Sequence, residues 1–276
     1  MFRPIIPKNI SPHIFNYKKL EEIPEGVFAA IRAGFESQAT GTPMVSVNII
    51  AWNEEENILR NLSSLSAIKS SFPVEYIFVD NNSKDNTSEI IRRCGITPVS
   101  ETKQGYGFAR QSAMENSRGK YILTGDADTI YPPTWIDTML KPVLSGRYIA
   151  ASGTYSFLPG KGEARFRYTF YEFFRDIIHN LRSINRPYLV VGGVNFLFPR
   201  DVALRTGFIK SDSRSEDGSM ALALMKTGKI KRVTSLKAAA WTVTRSIERT
   251  GTFTEAISKR ITKEIKRIKI YFSKHE

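Results

Sequence analysis

The sequence has few cysteines, no long apolar run and no apolar core near its first residue, and each of these absences argues against a class of protein. Cys94 is the single cysteine among 276 residues, so no disulfide forms within the chain and a reducing compartment is expected. No apolar run approaches the roughly 18 residues of a membrane-spanning helix. The longest, Tyr188–Phe198, is interrupted by two glycines and Asn195. The opening residues lack the apolar core of a signal peptide, so we expect a cytoplasmic protein.

Acidic residues are outnumbered as well. The chain has 27 Asp and Glu against 40 Lys and Arg, which gives a net charge of +13 and a pI near 9.8. Such an excess favours a polyanionic partner, which is a nucleic acid, a phosphorylated ligand or an anionic membrane. The remaining composition, 41% hydrophobic and 24% charged, is that of a soluble globular protein with a sizeable core. Composition alone does not choose among the three partners.

Strand-like and helix-like segments alternate along the chain. Continuous apolar runs predict buried strands, and apolar residues at helical spacing predict helices between them. The predicted strands are Met44–Trp52, Val74–Asp80, Ile96–Ser100, Lys120–Thr124, Tyr148–Leu158 and Val190–Phe198. One predicted helix follows Asn53, its N-cap, and another begins at Pro132 and Pro133. The other predicted helices are Ser88–Cys94, Phe108–Asn116, Glu163–Leu181 and Glu216–Met225. This alternation predicts an α/β fold, a single large domain with a mostly parallel central sheet flanked by helices.

Polar residues directly follow three of the predicted strands. Asn53 and Glu55 follow the first strand, Asp80 and Asn81 the second, and the run Asp126–Asp128 the fourth. Ligands of open parallel sheets bind beyond the carboxyl ends of the strands, so these residues mark the candidate site. Carboxylates gathered at one edge repel one another unless a cation offsets them. The Asp-Ala-Asp run can hold a hard divalent cation whose shell a phosphate completes; a solvated acidic turn is the alternative.

Four segments, in order along the chain, resemble the landmarks of a known family. They are Val45–Glu55 (VSVNIIAWNEE), Ile77–Thr87 (IFVDNNSKDNT), Lys120–Asp128 (KYILTGDAD) and Ser215–Gly218 (SEDG). Together they resemble the GT-A-fold glycosyltransferases of the large inverting family 2. The resemblance implies that the first two segments hold the base and ribose of a UDP- or GDP-linked sugar. It also implies that the third binds the diphosphate through Mn²⁺ or Mg²⁺ and that the fourth carries a general base.

Carried over to this chain, the resemblance implies roles for individual residues on the donor side. Asp126 and Asp128 are the implied ligands of the metal and the diphosphate. The residues implied for the nucleotide are Ala51, Asn53, Glu55, Asp80 and Asn81. Lys103 and Arg110 are candidate contacts of the diphosphate or sugar, because the equivalent loop of the family lies beside the donor. A basic helix start that faces solvent is the alternative for those two residues.

The resemblance also implies a catalytic and acceptor side. Asp217 is the implied general base, and the alternative is an acidic residue that favours the positive end of a helix. Gly193 and Asn195 are implied to lie beside the acceptor, with a bulge or tight bend as the alternative. The aromatic residues of the preceding helix are expected to pack in the core, with an acceptor platform as the alternative. These are Tyr168, Phe170, Tyr171, Phe173 and Phe174.

The sequence departs from the family pattern at two places. Asp80 is followed by Asn81, where the family often has two consecutive aspartates. The Gln-x-x-Arg-Trp motif of processive members is absent, because Trp241 is followed by Thr-Val-Thr. A single transfer per encounter is therefore expected.

The last residues of the chain form a segment with a basic side. From Thr254 onward, Lys and Arg alternate with isoleucines at helical spacing. This pattern is typical of a solvated helix face, and equally of an interfacial helix on anionic lipid. Nucleic-acid binding is a third interpretation of this segment, but no recognised module accompanies the charge, so no nucleic-acid partner is expected. A peripheral position on the inner face of the cell membrane is therefore an alternative to a freely cytoplasmic protein.

These observations combine into one hypothesis about organisation and function. We expect an irregular N-terminal segment (1–42), a nucleotide-sugar-binding half (43–145), an acceptor-binding and catalytic half (146–245) and a basic helix (246–276). The expected activity is metal-dependent, inverting glycosyl transfer to a saccharide or lipid-linked acceptor in surface glycan or glycolipid synthesis. The alternatives are a nucleotidyltransferase with a similar nucleotide site and a basic nucleic-acid-binding protein.

Overall fold

A seven-stranded sheet forms the centre of the computed structural model, which describes residues 2–38, 40–160, 162–208, 216–244 and 262. Its strands are β1 (Val45–Ala51), β2 (Val74–Asp80), β3 (Val99–Ser100), β4 (Tyr121–Asp126), β6 (Ala150–Gly153), β8 (Phe196–Pro199) and β9 (Ile230–Val233). They lie in the order β3-β2-β1-β4-β8-β6-β9, and β8 alone runs antiparallel to its neighbours. All seven residues of β1 are buried, as expected for a strand covered on both faces. The predicted mostly parallel sheet in a single α/β domain is confirmed.

Helices cover both faces of this sheet. They are α1 (Glu25–Glu36), α2 (Ile58–Ser66), α3 (Thr87–Arg93), α4 (Tyr106–Glu115), α5 (Trp135–Leu144), α6 (Arg165–Asn185), α7 (Arg200–Thr206) and α8 (Glu216–Met225). Helices α1, α2, α3 and α5 pack with alternate residues of β1 in one hydrophobic core. On the other face of the sheet, helix α4 packs against Ile50 and Val79. Helices α7 and α8 also cover this face, where Ala203 and Met220 are buried in one cluster with Phe198.

A second, three-stranded sheet stands beside the carboxyl end of β4. Strands β5 (Thr129–Ile130), β7 (Tyr155–Phe157) and β10 (Ala240–Thr242) lie in the order β5-β10-β7. Trp241 of β10 is buried in a small cluster with Ile10 and Ile130, which ties the N-terminal segment to this sheet. Helix α6 packs on β7 from the outside. Within the described residues, no helix combines the length and apolarity needed to cross a bilayer.

The N-terminal region and the first helix differ from the predictions. The segment 1–42 contains the twelve-residue helix α1, which buries Phe28 and Ile31, so the prediction of an irregular segment was wrong there. Helix α2 begins at Ile58 with Asn57 as its N-cap residue, four residues after the predicted start. Asn53 does not cap it, because Asn53 has a left-handed backbone with φ of 52°. The third predicted strand is reduced to two residues, β3.

The second half of the chain differs more. The predicted strand Tyr148–Leu158 is split into β6 and β7, which belong to different sheets. The predicted strand Val190–Phe198 begins only at Phe196, because the residues before it form turns. Helix α5 begins at Trp135, after both prolines rather than at them. Helix α8, Glu216–Met225, has the predicted bounds. The predicted basic helix of residues 246–276 lies outside the described residues, apart from residue 262.

The aromatic residues of α6 do not pack as one group. Tyr168 is buried, whereas Phe170, Phe173 and Phe174 are exposed by 45%, 38% and 54%. The prediction that all five pack in the core was therefore wrong for these three phenylalanines. Charged residues of the same helix occupy the buried side instead.

Candidate functional site

The carboxyl ends of β1, β2 and β4 bring the predicted acidic residues to one edge of the sheet. Ala51 lies opposite Asp80 on one side of β1, and Ile50 lies opposite Asp126 on the other. Since neighbouring strands are about 4.8 Å apart, the two aspartates start about 10 Å apart. That spacing leaves the end of β1 between them as the floor of a cleft.

Arg110 of α4 joins two of the acidic residues beneath this edge. Its side chain is 3% exposed, and Nη2 donates to Oδ1 of Asp126 at 2.7 Å. Nη1 donates to the carbonyl oxygen of Gly125 at 2.9 Å, and Nε lies 3.8 Å from Oδ1 of Asp217. Burial lowers the pKa of Arg110, but Asp126, Asp217 and Glu216 outweigh burial and leave it above its usual value. Arg110 is a buried, permanently charged bridge rather than the solvent-facing helix start that was the alternative.

Asp126 is the most perturbed carboxyl group of the site. Removal from water raises its pKa to about 6, repulsion from Asp128 and Asp217 adds to this rise, and Arg110 opposes it. The side chain nevertheless retains 39% exposure, so it faces the cleft. A carboxylate with this environment is stabilised by any cation that enters the cleft.

The turn that carries Asp126 and Asp128 is held from two sides. Nδ2 of Asn61, buried in α2, donates to the carbonyl oxygens of Asp126 and Thr129 at 3.1 and 2.8 Å. Oδ1 of Asp128 accepts the hydroxyl groups of Thr129 and Thr242, each at 3.2 Å. Asn61 lies among the leucines of the buried face of α2, and a polar amide at that position was the available sequence signal for it.

The donor set of this turn fits a divalent cation bound together with a phosphate ligand. Carboxylate oxygens are the ligands that Mg²⁺ and Mn²⁺ prefer, and Asp128 adds to the repulsion that raises the pKa of Asp126. Across the described residues, no group of three or more His, Cys, Asp and Glu side chains could hold a metal by itself. Two aspartates would therefore leave several coordination positions for a diphosphate and water.

Asp217 lies on the other side of Arg110, at the start of α8. Its side chain is 17% exposed, and Oδ2 accepts the backbone N–H of Gly193 at 2.6 Å. Oδ1 is buried, has no hydrogen-bond partner among the described residues and lies 3.8 Å from Nε of Arg110. The neighbouring Glu216 is 5% exposed, and burial together with Asp217 raises its pKa. One oxygen of Asp217 is thus held by a hydrogen bond, whereas the other has only the ion pair with Arg110.

Gly193 makes this arrangement possible because it has no side chain. A Cβ atom at this position would lie 2.6 Å from Oδ2 of Asp217 and would also overlap Nη2 of Arg110. The glycine therefore lets its own backbone approach Asp217 and Arg110 closely.

The side chain of Asn195 is buried and bonded to other protein groups, whereas an acceptor contact was expected. It is 1% exposed, and Nδ2 donates to the carbonyl oxygens of Thr154 and Ala238 at 3.1 and 2.8 Å. Oδ1 accepts Nε1–H of Trp135 at 2.9 Å. With both ends of the amide occupied by protein groups, the expectation of an acceptor contact by Asn195 is corrected. The side chain joins the second half of the chain to α5 and to the small sheet.

The residues expected at the nucleotide divide into exposed and buried groups. Asn53 is exposed, and its Oδ1 accepts the backbone N–H of Lys84 at 2.8 Å, which ties the loops after β1 and β2 together. Asp80 is partly exposed, and its carboxylate accepts the backbone N–H of Ser83 and the hydroxyl of Ser88. These two loops form the far end of the cleft from Asp126.

The other expected nucleotide residues support those loops. Oε1 of Glu55 accepts the backbone N–H of Leu20 and Nδ2 of Asn86, at 3.0 and 2.8 Å. Asn81 is 4% exposed; its amide holds the loop of Lys103 through the carbonyl oxygen of Lys103, at 2.7 Å, and the N–H of Gly105, at 2.9 Å. Ala51 is buried. Lys103 itself is exposed. Its ammonium group takes no part in the contacts with Asn81 and lies 6.0 Å from the centroid of the Phe108 ring.

Trp52 was missed by sequence reasoning. It follows the buried end of β1 directly, yet its side chain is 49% exposed at the carboxyl edge of the sheet. An exposed indole at a ligand-binding edge offers a flat apolar face for stacking. The available signal was the position of a large aromatic residue between a buried strand and Asn53.

Comparison with known proteins identifies the family. A family model described as glycosyl transferase family 2 matches residues 46–206, more than half of the chain. The chain belongs to glycosyl transferase family 2. The matched range contains β2 through β8 and all of β1 except Val45, and therefore the acidic edge, whereas Asp217 lies beyond it.

Two curated relatives from Haloferax volcanii align with part of the chain. A low-salt glycan biosynthesis hexosyltransferase is 32% identical over 113 residues, which cover 41% of this chain and 27% of that protein. A dolichyl-phosphate hexose transferase is 31% identical over 102 residues, which cover 37% of this chain and 43% of that protein. The chain thus spans less than half the length of these relatives.

Solved structures share the fold with this family 2 chain. A mannosyltransferase from Pyrobaculum calidifontis, solved with GDP-mannose and Mn²⁺, has a TM-score of 0.60 at 18% identity and covers 86% of this chain and 76% of its own. A glucosyl-3-phosphoglycerate synthase from Mycobacterium tuberculosis, solved with Mn²⁺, UDP-glucose and phosphoglyceric acid, has a TM-score of 0.55 at 18% identity. It covers 88% of this chain and 84% of its own. The chain accordingly has the GT-A fold.

Proposed function

We propose that the chain transfers a sugar from a UDP- or GDP-linked donor to an acceptor hydroxyl with inversion. The single observation that carries this proposal is the contact of Arg110 with both Asp126 and Asp217. This contact joins a carboxylate suited to a metal-bound diphosphate and a carboxylate suited to proton removal. Binding of a nucleotide does not by itself require the second carboxylate, that of Asp217.

Asp126 and Asp128 would hold Mn²⁺ or Mg²⁺, and the family neighbours that bind Mn²⁺ with nucleotide sugars support this assignment. A bound cation would offset the negative charge that develops on the leaving diphosphate. Asn61 and Thr242 keep the turn of the two aspartates in one conformation for that purpose. Arg110 holds one oxygen of Asp126 from behind, which leaves the exposed part of the carboxylate for the donor.

Asp217 would act as the general base. Its carboxylate would accept the proton of the acceptor hydroxyl as the hydroxyl oxygen bonds to the anomeric carbon, and the bond from this carbon to the diphosphate would break. The Gly193 N–H holds Oδ2 and so orients the base. Because attack occurs opposite the leaving group, the configuration of the anomeric carbon is inverted.

The donor's base and ribose would lie between Trp52, Asn53 and Asp80, at the far end of the cleft. A saccharide or a lipid-linked sugar phosphate is the proposed class of acceptor. The dolichyl-phosphate hexose transferase and the glycan-synthesis hexosyltransferase among the relatives support a role in surface glycan or glycolipid synthesis. A cytoplasmic position, free or peripheral to the inner membrane face, accords with nucleotide-sugar donors.

The rival functions find less support. A nucleotidyltransferase has no use for a base oriented as Asp217 is, and phosphate backbones of nucleic acids are repelled by the carboxylates of the cleft. Neither rival is favoured by the family assignment.

A donor screen combined with one variant tests the proposal. Wild-type protein is incubated with UDP- and GDP-linked sugars with and without Mn²⁺, and binding and turnover are followed separately. Asp217→Asn should bind the same donor within about twofold of wild type while turnover falls by about a thousandfold, as for loss of a positioned base. A variant with wild-type turnover would remove Asp217 from its proposed role.

A further inference from the structure

Helix α6 has the reverse of the usual polarity, with apolar side chains in solvent and charged side chains inside. Seven apolar residues recur along its outer side at helical spacing, with exposed fractions from 37% to 73%. They are Phe166, Phe170, Phe173, Phe174, Ile177, Leu181 and Ile184. Glu172, Arg175 and Asp176 are buried on the inner side. A soluble surface helix ordinarily shows the opposite arrangement.

Buried polar contacts hold the helix in this orientation. Oε1 of Glu172 accepts the backbone N–H of Phe157 at 2.7 Å, and Oε2 pairs with Arg165 at 2.6 Å. Nη2 of Arg175 donates to the carbonyl oxygen of Tyr155 in β7. Rotating α6 to bury its phenylalanines would break these contacts and leave charges unpaired in the interior. The outward face is therefore a property of the fold.

The N-terminal segment extends the same apolar surface. The ring of Phe2 packs edge-on against Phe170 and Phe173, with centroid distances of 5.8 and 6.5 Å. Phe2 remains 50% exposed, and Ile5 is 77% exposed. Arg3, between them, is buried and pairs with Asp176 at 3.2 Å, which anchors the segment on α6. We define the aromatic face as Phe2, Ile5 and the seven outer residues of α6.

The charges around the aromatic face match an anionic surface. Both acidic residues of α6, Glu172 and Asp176, are buried at 0% and 4% exposure, so the outer side carries no negative charge. Arg167 is exposed on that outer side. The whole chain has a net charge of +13. Aromatic and aliphatic side chains without acidic neighbours, on a basic protein, are typical of helices that lie in the interface of an anionic bilayer.

We propose that the aromatic face docks on an anionic lipid bilayer, with α6 parallel to the membrane plane. The helix has 21 residues and is therefore about 31 Å long. Its phenylalanines insert at the boundary between head groups and acyl chains, while the buried arginines stay in the protein. The aromatic face includes none of the basic residues 246–276, and the proposal does not depend on the activity proposed above.

The docked orientation brings the acidic edge close to the membrane. Glu172 contacts β7, β7 pairs with β10, and Thr242 of β10 donates to Asp128. One three-stranded sheet thus separates the membrane-facing helix from the Asp126–Asp128 turn. An acceptor sugar carried on a membrane lipid would lie within reach of that turn.

Vesicle binding by the full chain tests the proposal. Wild-type protein is sedimented with vesicles of 30% phosphatidylglycerol in phosphatidylcholine (about 100 mM salt), and with phosphatidylcholine alone. The double variant Phe170→Ser/Phe174→Ser should bind the anionic vesicles at least tenfold more weakly than wild type. The matched control Leu144→Ser/Leu204→Ser removes side chains of 44% and 39% exposure elsewhere and should stay within twofold. Neutral vesicles should bind wild type more weakly than anionic ones.

A second measurement protects the test against a folding defect. Cys94 is buried and is the only cysteine, so a fluorophore can be placed selectively at Phe174→Cys, with Leu204→Cys as control. Anionic vesicles should shift the emission of the label at position 174 to the blue and leave that at 204 unchanged. Wild-type protein that ignores vesicles overturns the proposal, as does equal binding by the Phe170→Ser/Phe174→Ser variant. A vesicle-free dimer that dissociates in this variant also overturns it, because the face would then bind a second copy.

Discussion

Replacing Arg110 by methionine should destabilise the protein in a pH-dependent way. Arg110 is 3% exposed and pairs with Asp126 at 2.7 Å, and Asp217 is 3.8 Å away. Breaking a buried pair leaves a charge uncompensated and costs about 3–5 kcal/mol. Because 39% of the Asp126 side chain is exposed, solvent screens part of this cost. We therefore expect a loss of about 3 kcal/mol in the free energy of unfolding at pH 8.

The loss should be smaller at pH 5. The pKa of Asp126 is about 6, so this carboxyl is largely protonated at pH 5 and no longer needs its counter-charge. Without Arg110 its pKa rises further, so the folded variant binds more protons than the unfolded chain and loses stability as pH rises. Urea unfolding at pH 5 and pH 8, without metal, measures both values.

The control for this experiment is Arg118→Met. Arg118 is 77% exposed and pairs with Glu75 at 2.9 Å, and such a surface pair contributes less than about 1 kcal/mol. Equal stability of Arg110→Met and wild type at pH 8 would refute the reasoning. So would a loss of the same size at both pH values, since the carboxylates would then not be its source.

Three further predictions concern the same cleft. Gly193→Ala should lower turnover at least about tenfold and stability by about 1–3 kcal/mol, because its Cβ displaces Asp217 and Arg110; wild-type kinetics would contradict this. The affinity for Mn²⁺ should fall about tenfold per pH unit below pH 6, because protons compete for Asp126; a flat titration from pH 7 to pH 5 would exclude it as a ligand. Trp52→Ala should weaken donor binding by about 1–3 kcal/mol and Trp52→Phe much less, measured by calorimetry, whereas equal affinities would leave the indole without a role.

The parts of the fold that follow from local pattern were predictable. Val74–Asp80 and Glu216–Met225 have the predicted bounds, because apolar runs and helix-start acids act over a few neighbouring residues. The division of Tyr148–Leu158 between two sheets was not predictable. It depends on distant partners: β6 pairs with Phe196 and Leu197, whereas β7 pairs with β10.

The sequence predicted which residues lie at the candidate site, but it did not predict the contacts that join them. Carboxylates after parallel strands must share an edge, so the position of Asp126 near Asp80 followed from the strand order. The burial of Arg110 between Asp126 and Asp217 depends on how α4 and α8 pack, which no local pattern reports. Asn195 was mistaken for an acceptor contact for the same reason. Its amide partners, Trp135 among them, lie 40 or more positions away along the chain.

The outward phenylalanines of α6 show a different limit. Aromatic residues at helical spacing predict a buried face wherever water is the only solvent. In α6 the inner side is occupied by Glu172, Arg175 and Asp176, whose partners come from β7 and from Arg3. Those partners are distant in sequence, so the exposed side of the helix could not be chosen from its own residues.

Mn²⁺-dependent donor binding by Asp128→Ala tests the central claim most directly. Asp128 is held by Thr129 and Thr242 in the turn that faces the cleft, and its loss would leave Asp126 as the single carboxylate of the turn. Calorimetric titration with the preferred nucleotide sugar should show binding by wild type in Mn²⁺ and little binding in excess chelator. Asp128→Ala should bind as weakly in Mn²⁺ as wild type does in chelator. Wild-type affinity in the variant, or equal wild-type affinity with and without metal, would contradict the account.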